Sequence, residues 1–370
     1  MRVAVCEAGP IDALGDAGSR SVLDLIEATR ALGHDVLVVD ESEVGALDAL
    51  AAWRADVVVV SRPGLFARTY SALQALGVPL VYFAHDIHEI RMAETGKLGE
   101  GDVSATVGGP SGLNAQRARA MRLIEDFCFT HADLTLLPTE EEVREVQRRH
   151  PSANVERLTW FAIETVPHAV LADTSRRAVF IGGERHEPNR DGLQWMLTDI
   201  WPQVSSAFDE LVIIGDWSAA TIAGLREVAG GEANDCLANP AQANVRFTGR
   251  LSVAEVDDLM RTALVGLSPL RFGAGQKRKT LDYLAHGLPA ASTSFGVQGH
   301  TNIAGEFAGV RVADKASEWV MALRDIADPA NAAEWLRLSA AGAAFVESEY
   351  GPARHRLALQ DVYSRWEGRA

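Results

Sequence analysis

Three consecutive basic residues, Lys277, Arg278 and Lys279, follow the glycine-containing loop 271–275. The apolar residues after them recur at helical spacing, so the basic run falls in the first turn of a predicted helix. Cations in that position oppose the positive end of the helix dipole, at a cost of ~0.3–1 kcal/mol each. Backbone N–H groups, glycines and cations gathered at one helix N-terminus are typical of an anion site, most naturally a phosphate site.

A second interpretation of the basic run stays open at this point. The run could be a solvated turn in which Arg278 or Lys279 pairs with Asp282 one helical turn away. The residues alone favour neither interpretation over the other.

Two further loops of small residues precede predicted helices. Gly182 and Gly183 follow a predicted strand and would let a phosphate or a sugar lie against the backbone, with Asn189 as the cap of the next helix. A simple strand–helix turn explains this loop at least as well, because glycine-rich turns are weak signals. The loop 16–20, which contains Gly18, holds the equivalent place in the first half of the chain. It lacks the GxGxxG spacing, which argues against an ordinary dinucleotide site.

A polar segment, 85–91, directly follows another predicted strand. His85 could donate a hydrogen bond to a substrate hydroxyl, and Arg91 could bind an anionic group. A purely structural role for His85 also remains open. Asp86 is adjacent to His85 and therefore points to the other face, so a direct His–Asp relay is not expected. His85 and His88 have the spacing of metal ligands, but nothing nearby completes a ligand set, and no metal site is predicted.

Strand-like and helix-like segments alternate along the chain, which predicts an α/β fold of parallel, doubly wound sheets. The predicted strands are Val3–Cys6, Val36–Val39, Val57–Val60, Leu80–Ala84, Leu134–Pro138, Val155–Leu158, Ala178–Ile181, Leu211–Ile214, Val245–Thr248, Leu264–Ser268, Ala290–Thr293 and Val310–Val312. The aperiodic segment 159–177 predicts a linker, which divides the chain into a first domain, 1–165, and a second domain, 166–350. The glycine-rich segment 97–114 predicts a mobile surface loop that could close over a site.

The composition limits the function classes. The chain has 370 residues, 47% of them hydrophobic and 23% charged, with a net charge of −15. Its length suggests two domains, and its acidity argues against nucleic acid as a partner and against broad adhesion to anionic lipid, although a local basic patch could still contact a membrane. Cys6, Cys128 and Cys236 show no CxxC spacing, the N-terminus runs straight into strand-like sequence, and the apolar runs are too short to span a bilayer. These features predict a cytoplasmic protein.

Several motifs in order resemble one known family. IGGERHEPNRDGLQW, LVIIGD, VRFTGR and SPLRFGAGQKRKTLDYLAHGLPAASTSFGVQG are similar to the donor-binding half of the retaining GT-B glycosyltransferases of the family 4 type. DAGSR, ALGHDV, the dipeptide His85-Asp86 and ADLTLLPTEEE are similar to the other half. The resemblance implies two Rossmann-like domains that face a central cleft, with the last segment, 351–370, returning to the first domain as a helix.

The resemblance also implies the reaction and its residues. A nucleotide-diphosphate sugar would bind the second domain, and a glycan or lipid-linked acceptor would bind the first, where His88 and Arg91 are the acceptor residues and His85 and Asp86 the catalytic ones. The implied donor residues are Gly18, Gly183, Asn189, Gly249, Arg250, Arg271, Gly275, Lys277, Lys279 and Asp282. Among them Arg271, Gly275, Lys277 and Lys279 would hold the diphosphate, Asp282 the ribose, and Gly249 with Arg250 the base. Ala274 departs from the family, which has a glutamate eight residues before the position of Asp282.

The implied reaction retains the configuration of the sugar and needs no metal or other cofactor. No enzyme nucleophile is identified, and we expect a front-face mechanism in which the acceptor proton passes to the leaving phosphate. The product would belong to a cell-surface glycan, with peripheral contact to the inner face of the membrane as a further expectation. Two alternatives are a sugar-nucleotide epimerase and a binding protein without activity. The donor sugar, the base, the acceptor and the oligomeric state are not predicted.

Overall fold

The computed structural model describes residues 1–11, 17–90, 92, 111–166, 171, 175–229, 244–273, 276–300 and 308–368. The chain divides into two compact units. The first unit consists of Met1–Ala162, Ala274–Gln276 and Tyr350–Ala370, and the second unit consists of Ile163–Gly273 and Lys277–Glu349. Each unit contains one six-stranded parallel sheet, as the alternation of strands and helices predicts. None of the helices within these described ranges is long and apolar enough to cross a membrane.

The sheet of the first unit has the strand order β2-β1-β3-β4-β5-β6. Its strands are β1 (Arg2–Glu7), β2 (Asp35–Asp40), β3 (Val57–Ser61), β4 (Leu80–Phe83), β5 (Leu134–Leu137) and β6 (Val155–Arg157). Its helices up to that point are α1 (Ala17–Ala31), α2 (Ala46–Trp53), α3 (Pro63–Gln74), α4 (Ser111–His131) and α5 (Glu140–Arg149). Strands β3 and β4 are buried along their whole length, because helices cover both faces of a parallel sheet.

Helix α4 corrects one prediction about the first unit. It begins at Ser111, so residues 111–114 continue the helix rather than closing the glycine-rich loop. The rest of that predicted loop, 97–110, lies outside the described residues.

The sheet of the second unit has the strand order β12-β11-β10-β7-β8-β9. Its strands are β7 (Arg177–Ile181), β8 (Glu210–Ile214), β9 (Val245–Gly249), β10 (Val265–Ser268), β11 (Ala290–Ser292) and β12 (Val310–Val312). Its helices are α6 (Glu187–Trp195), α7 (Trp201–Val204), α8 (Ala219–Val228), α9 (Val253–Arg261), α10 (Arg278–Ala285), α11 (Ala316–Ala327) and α12 (Ala332–Tyr350). A π-helical turn, Met196–Ile200, joins α6 to α7, and short 3-10 turns occur at Ser205–Ala207 and Pro329–Asn331.

The last helix, α13 (Pro352–Ser364), belongs to the first unit. It packs against α1, where the buried hydroxyls of Tyr363 and Thr29 are 2.8 Å apart. Arg365 forms an ion pair with Glu156, the central residue of β6. These contacts tie the carboxyl end of the chain to elements near its beginning.

Each sheet has one point where the strand order reverses. In the first sheet it lies between β1 and β3, and in the second it lies between β7 and β10. Open α/β sheets bind their ligands outside the carboxyl ends of the strands at this switch point. The loops that follow β1, β3, β7 and β10 are therefore the places where a site is expected.

Candidate functional site

Helix α10 carries the basic run, and one glycine sets its position. Gly266 lies in β10, and a Cβ placed on it would fall 2.3 Å from Cγ of Tyr283, a buried residue of α10. The phenol hydroxyl accepts a hydrogen bond from Ile181 N at 2.9 Å and donates one to Leu267 O at 3.1 Å. The ring of Tyr283 therefore lies flat on the sheet and holds the first turn of α10 near the ends of β7 and β10.

Lys279 lies at the switch point of the second sheet. Its Nζ donates a hydrogen bond to Asn189 Oδ1 at 2.7 Å and lies 4.4 Å from the ring centroid of Phe180, a residue of β7. Among the residues that the structure describes, no carboxylate is within ion-pair distance of this ammonium group. Burial, together with a smaller contribution from the nearby charge of Lys277, lowers the pKa of Lys279 from 10.5 to about 7. A lysine in this state gains most from an anionic ligand, which would offset the cost of its charge.

Lys277 provides a second cation at the same place. Its side chain is buried, and its Nζ lies 4.4 Å from the ring centroid of Phe295. Two lysines with aromatic neighbours lie at the start of one helix, Lys277 just before it and Lys279 in its first turn, and form a positively charged site suited to phosphate. The phosphate interpretation of these two residues therefore has structural support.

Arg278 behaves differently from its two neighbours. Its Nε is 3.2 Å from Oδ1 of Asp282, one turn further along α10. The pairing that the alternative interpretation expected does occur, but it involves only the middle residue of the basic run. Asp282, the implied ribose residue, is thereby in contact with a guanidinium group.

Arg271 is also held by a carboxylate. Its Nε and Nη2 lie 2.8 Å and 2.5 Å from the two oxygens of Asp191, in a bidentate pair. Its guanidinium carbon lies 5.3 Å from the ring centroid of Trp195, and the bond to Asp191 raises the pKa of Arg271. This pair ties the loop after β10 to helix α6, so an anionic ligand would have to compete with Asp191 for Arg271.

The loop after β7 contains Gly182, Gly183 and Asn189. The sequence predicts that Asn189 caps the following helix, but α6 begins at Glu187 and Asn189 lies in its first turn. The amide of Asn189 instead donates to Gly183 O at 3.0 Å while its oxygen accepts from Lys279. A Cβ on Gly182 would fall 2.6 Å from Asn189 Nδ2, so the glycine makes room for this side chain. Asn189 thus links the glycine loop to the lysine.

Two of the remaining implied donor residues, Gly249 and Arg250, lie further from the switch point. Gly249 ends β9, two strands away from β7, with a φ of 73° that favours glycine, and Arg250 follows it on the surface. Trp217 donates to Gly182 O at 2.7 Å and packs on Phe180, so it is a buried covering residue. Gly275 lies outside the described residues.

In the first unit, His85 is a buried residue at the end of β4. Its ring makes edge contacts with Phe83 and Trp160, at centroid distances of 5.4 Å each. Its Nε2 is 3.5 Å from Ser21 Oγ, and its Nδ1 faces Gly18 in the first turn of α1. Gly18 and His85, which are far apart in sequence, are therefore neighbours at the carboxyl end of the first sheet.

Asp86 pairs with His88. Its Oδ1 is 2.8 Å from His88 Nδ1, and a second buried carboxylate, Glu125, lies 3.4 Å from the same nitrogen. Glu125 also accepts hydrogen bonds from the backbone N–H groups of His88 and Glu89. This cluster holds the segment after β4 against α4. Within the described ranges no group of three or more His, Cys, Asp or Glu side chains is arranged to hold a metal, and Arg91 lies outside those ranges.

Sequence reasoning missed two contributors. Arg62 follows β3 and lies beside Gly18 and His85, and Asp191 holds Arg271. An arginine between a buried valine strand and a proline is a local signal for Arg62, because it stands where a parallel strand opens onto its ligand edge. No local signal indicates the pair of Asp191 and Arg271, since the two residues are 80 positions apart.

Comparisons with known proteins agree with this architecture. A family model described as glycosyl transferases group 1 matches residues 175–328, and a glycosyl transferase 4-like domain model matches residues 40–159. No curated protein matches the chain.

Several solved structures share the fold. Anabaena Alr3699/HepE in complex with UDP and glucose has a TM-score of 0.67 at 10% identity, covering 99% of this chain and 100% of that one. Sucrose-phosphate synthase from Thermosynechococcus elongatus has a TM-score of 0.70 at 13% identity, with complete coverage of both chains. WaaG, a glycosyltransferase of lipopolysaccharide biosynthesis, has a TM-score of 0.63 at 15% identity, covering 97% and 99%.

Two six-stranded parallel sheets in successive units define the GT-B class of α/β protein. The two family models, which match different halves of the chain, specify the class further. The chain belongs to the group 1 glycosyltransferases, of the family 4 type.

Proposed function

We propose that this glycosyltransferase moves a sugar from a nucleotide-diphosphate donor to a hydroxyl of a glycan or lipid-linked acceptor, with retention. The observation that carries the proposal is Lys279, which lies at the switch point of the second sheet without a carboxylate partner among the described residues. The Alr3699/HepE structures contain UDP, and one contains UDP-glucose, which supports a nucleotide sugar as donor.

The two lysines account for the leaving group. When the bond between C1 of the sugar and the phosphate oxygen breaks, its electron pair passes to the diphosphate, whose negative charge grows. Lys277 and Lys279 hold that charge in fixed positions. The acceptor oxygen forms the new bond to C1 from the same face, and its proton passes to the departing phosphate oxygen. Because lysines supply the positive charge, we propose that the reaction needs no metal, and turnover in EDTA tests this point.

Features of the first unit support a proposal about the acceptor and the location of the protein. Helix α4 exposes Arg117, Arg119 and Arg122, together with Leu123, whose relative exposure is 73%. Arg119, Arg122 and Leu123 share a face because they are three and four residues apart, and a basic face with an exposed apolar residue suits peripheral contact with anionic lipid. We therefore propose a lipid-linked acceptor of cell-surface glycan synthesis and a location at the inner membrane face. Cys6 and Cys128 are buried free thiols, which fits a reducing compartment.

A panel of nucleoside diphosphates, screened by thermal shift, tests the donor assignment, because a ligand of the folded state raises Tm. Nucleotide sugars with the preferred base are then incubated with candidate acceptors. Nucleoside diphosphate release that depends on acceptor, with an unchanged anomeric configuration by NMR, supports the proposal. Interconversion of the donor without release would indicate an epimerase, and binding without either reaction would indicate a protein that only binds.

The affinity for a nucleotide sugar is expected to fall as the pH rises above about 7. The unliganded protein releases the proton of Lys279 near that pH, whereas a bound diphosphate favours the protonated form and must recover it. Linkage limits the fall to about tenfold per pH unit until the pKa of the complex is reached. Calorimetry between pH 6 and 9 measures this dependence, with a nucleotide sugar because its phosphates do not titrate there.

Lys279→Arg provides the control for this pH dependence, since an arginine keeps its proton throughout the range. Equal slopes of affinity against pH in the parent protein and in Lys279→Arg would contradict the assignment of the diphosphate to Lys279. The free protein has the opposite dependence: between the lowered pKa of Lys279 and 10.5 the unfolded chain holds the proton more strongly, so the free energy of unfolding rises with pH.

A further inference from the structure

Arg62 has a backbone conformation that side chains rarely adopt. Its φ is 69° and its ψ is 127°, and it precedes Pro63, the first residue of α3. A glycine would take this conformation without strain, whereas a residue with a Cβ resists it. The described part of the chain has one other non-glycine residue with positive φ, Arg54, which occupies an ordinary left-handed position at the end of α2. The side chain of Arg62 must therefore supply the interaction that offsets the strain of this backbone conformation.

Among the residues that the structure describes, the guanidinium group of Arg62 is held by Glu7 alone. Its Nε is 3.4 Å from Oε1 of Glu7, the last residue of β1. Glu7 is itself fixed by hydrogen bonds from Ser61 Oγ and from the backbone of Ala8. Neither Nη1 nor Nη2 of Arg62 bonds to an acceptor in the described ranges.

The two terminal nitrogens lie beside the α-carbon of Gly18. A Cβ placed on Gly18 would fall 2.7 Å from Nη2 and 3.2 Å from Nη1 of Arg62, and 3.1 Å from Nδ1 of His85. Because Gly18 has no side chain, it leaves unfilled the position where the guanidinium edge of Arg62, the imidazole of His85 and the first turn of α1 meet. Arg62 is about one-third exposed, so a ligand can reach it.

The position in the sheet suits a ligand. Arg62 follows β3 and Glu7 ends β1, and these are the two strands between which the order of the first sheet reverses. A guanidinium edge with two parallel N–H donors matches the two oxygens of a phosphate or a carboxylate.

We propose that Arg62 binds an oxyanion, a phosphate or carboxylate group carried by a substrate, with Gly18 providing the space beside it. The proposal rests on the proposed function only in taking the ligand to be a substrate of the transferase. The group belongs either to the diphosphate of the donor or to a charged acceptor. Arg62 belongs to the first unit, whereas Lys277 and Lys279 belong to the second.

Inorganic phosphate is the probe, titrated into the full chain by calorimetry and followed by thermal shift. Lys279→Met serves as the background, because it weakens the site in the second unit. In that background phosphate is expected to bind, and adding Arg62→Gly is expected to weaken binding at least tenfold. Arg54→Gly is the matched control: it relieves the other positive φ and should leave phosphate binding unchanged. Equal phosphate affinity with and without Arg62, or no binding at all in the Lys279→Met background, overturns the proposal.

Two more variants separate binding from folding. Arg62→Lys keeps the strained backbone but loses the two parallel donors, so phosphate binding should weaken while Tm stays at or below that of Arg62→Gly. Gly18→Ala leaves every charged group in place, but its methyl group would occupy the position beside Nη1 and Nη2 of Arg62. This variant should therefore weaken phosphate binding too. If both variants bind phosphate with the affinity of the parent protein, the assignment of the anion to Arg62 is wrong, even if Arg62→Gly fails to fold.

The source of the anion follows from two further measurements on Arg62→Gly. A fall in nucleoside diphosphate affinity assigns the anion to the donor. An unchanged nucleotide affinity with a raised KM for a charged acceptor, but not for a neutral one, assigns it to the acceptor. The nucleotide affinity of Lys279→Met tests the proposed function separately, so failure of one inference does not imply failure of the other.

Discussion

Lys279→Met is expected to lower the affinity for a nucleoside diphosphate about 100-fold at pH 6.5, equivalent to about 2.7 kcal/mol. The reason is the environment of the ammonium group, which is partly buried, has Asn189 and Phe180 as neighbours and has no carboxylate in range among the described residues. A phosphate bound there would be its main source of compensating charge. Calorimetry with the nucleotide that the panel selects measures the loss.

The stability of the same variant is expected to change in the opposite direction. Burial and Lys277 make the charged form of Lys279 unfavourable in the free protein, so methionine should leave Tm the same or raise it. A loss of affinity without a loss of stability indicates a binding residue rather than a structural one.

Two matched variants complete this experiment. Lys315→Met removes a lysine that is 77% exposed and paired with Glu318, and it should leave nucleotide affinity unchanged. Arg271→Gln should weaken nucleotide binding less than Lys279→Met does, because Asp191 already holds the guanidinium group. Wild-type affinity in Lys279→Met would show that the diphosphate lies elsewhere.

Gly266→Ala is expected to destabilise the protein by about 3 kcal/mol and to lower Tm by on the order of 10 °C. The new methyl group would lie 2.3 Å from Cγ of Tyr283, a ring that is buried and hydrogen-bonded at its far end to Ile181 and Leu267. The ring cannot move aside without breaking those bonds, so helix α10 must shift. Because α10 carries Lys277 and Lys279, nucleotide affinity should fall as well. Calorimetric unfolding and nucleotide titration measure the two effects.

Gly224→Ala is the matched control for this substitution. Gly224 lies inside α8 with no atom within 4 Å of its Cβ position, and alanine there should stabilise the helix by about 0.5–1 kcal/mol. Combining Gly266→Ala with Tyr283→Ala should cost less than the sum of the two single changes, since the clash needs the ring. Strict additivity, or an unchanged Tm in Gly266→Ala alone, would refute the packing argument.

The architecture could be predicted from local sequence. Every predicted strand coincides with an observed one to within a few residues, because apolar runs bounded by glycine, proline and polar residues depend on neighbours in the chain alone. The basic run at 277–279 was recognisable for the same reason: its conflict with the helix dipole is a local property. The family resemblance rests on the same contiguous motifs, and the family models match those halves of the chain.

Only the tertiary structure shows that the three residues of the basic run have different neighbours. Three adjacent cations look equivalent in sequence, yet helical geometry turns Arg278 towards Asp282 while Lys277 and Lys279 lie against Phe295 and Phe180. Arg271, which resembles a phosphate ligand in sequence, is held by Asp191. Such pairings join residues tens of positions apart, and no local pattern indicates them.

The sequence by itself determined the alternation of strands and helices, the glycine loops at the strand ends and the presence of cations beside one of them. Only the tertiary structure decided that Lys279 has no carboxylate partner among the described residues, and which charged residues meet at each switch point. The physical reason is range: backbone propensity and periodicity act between neighbours in the chain, whereas desolvation and ion pairing depend on what the fold brings within a few ångströms. Lys279 therefore stands out in the structure by its lowered pKa, and Arg62 by its strained backbone beside Gly18.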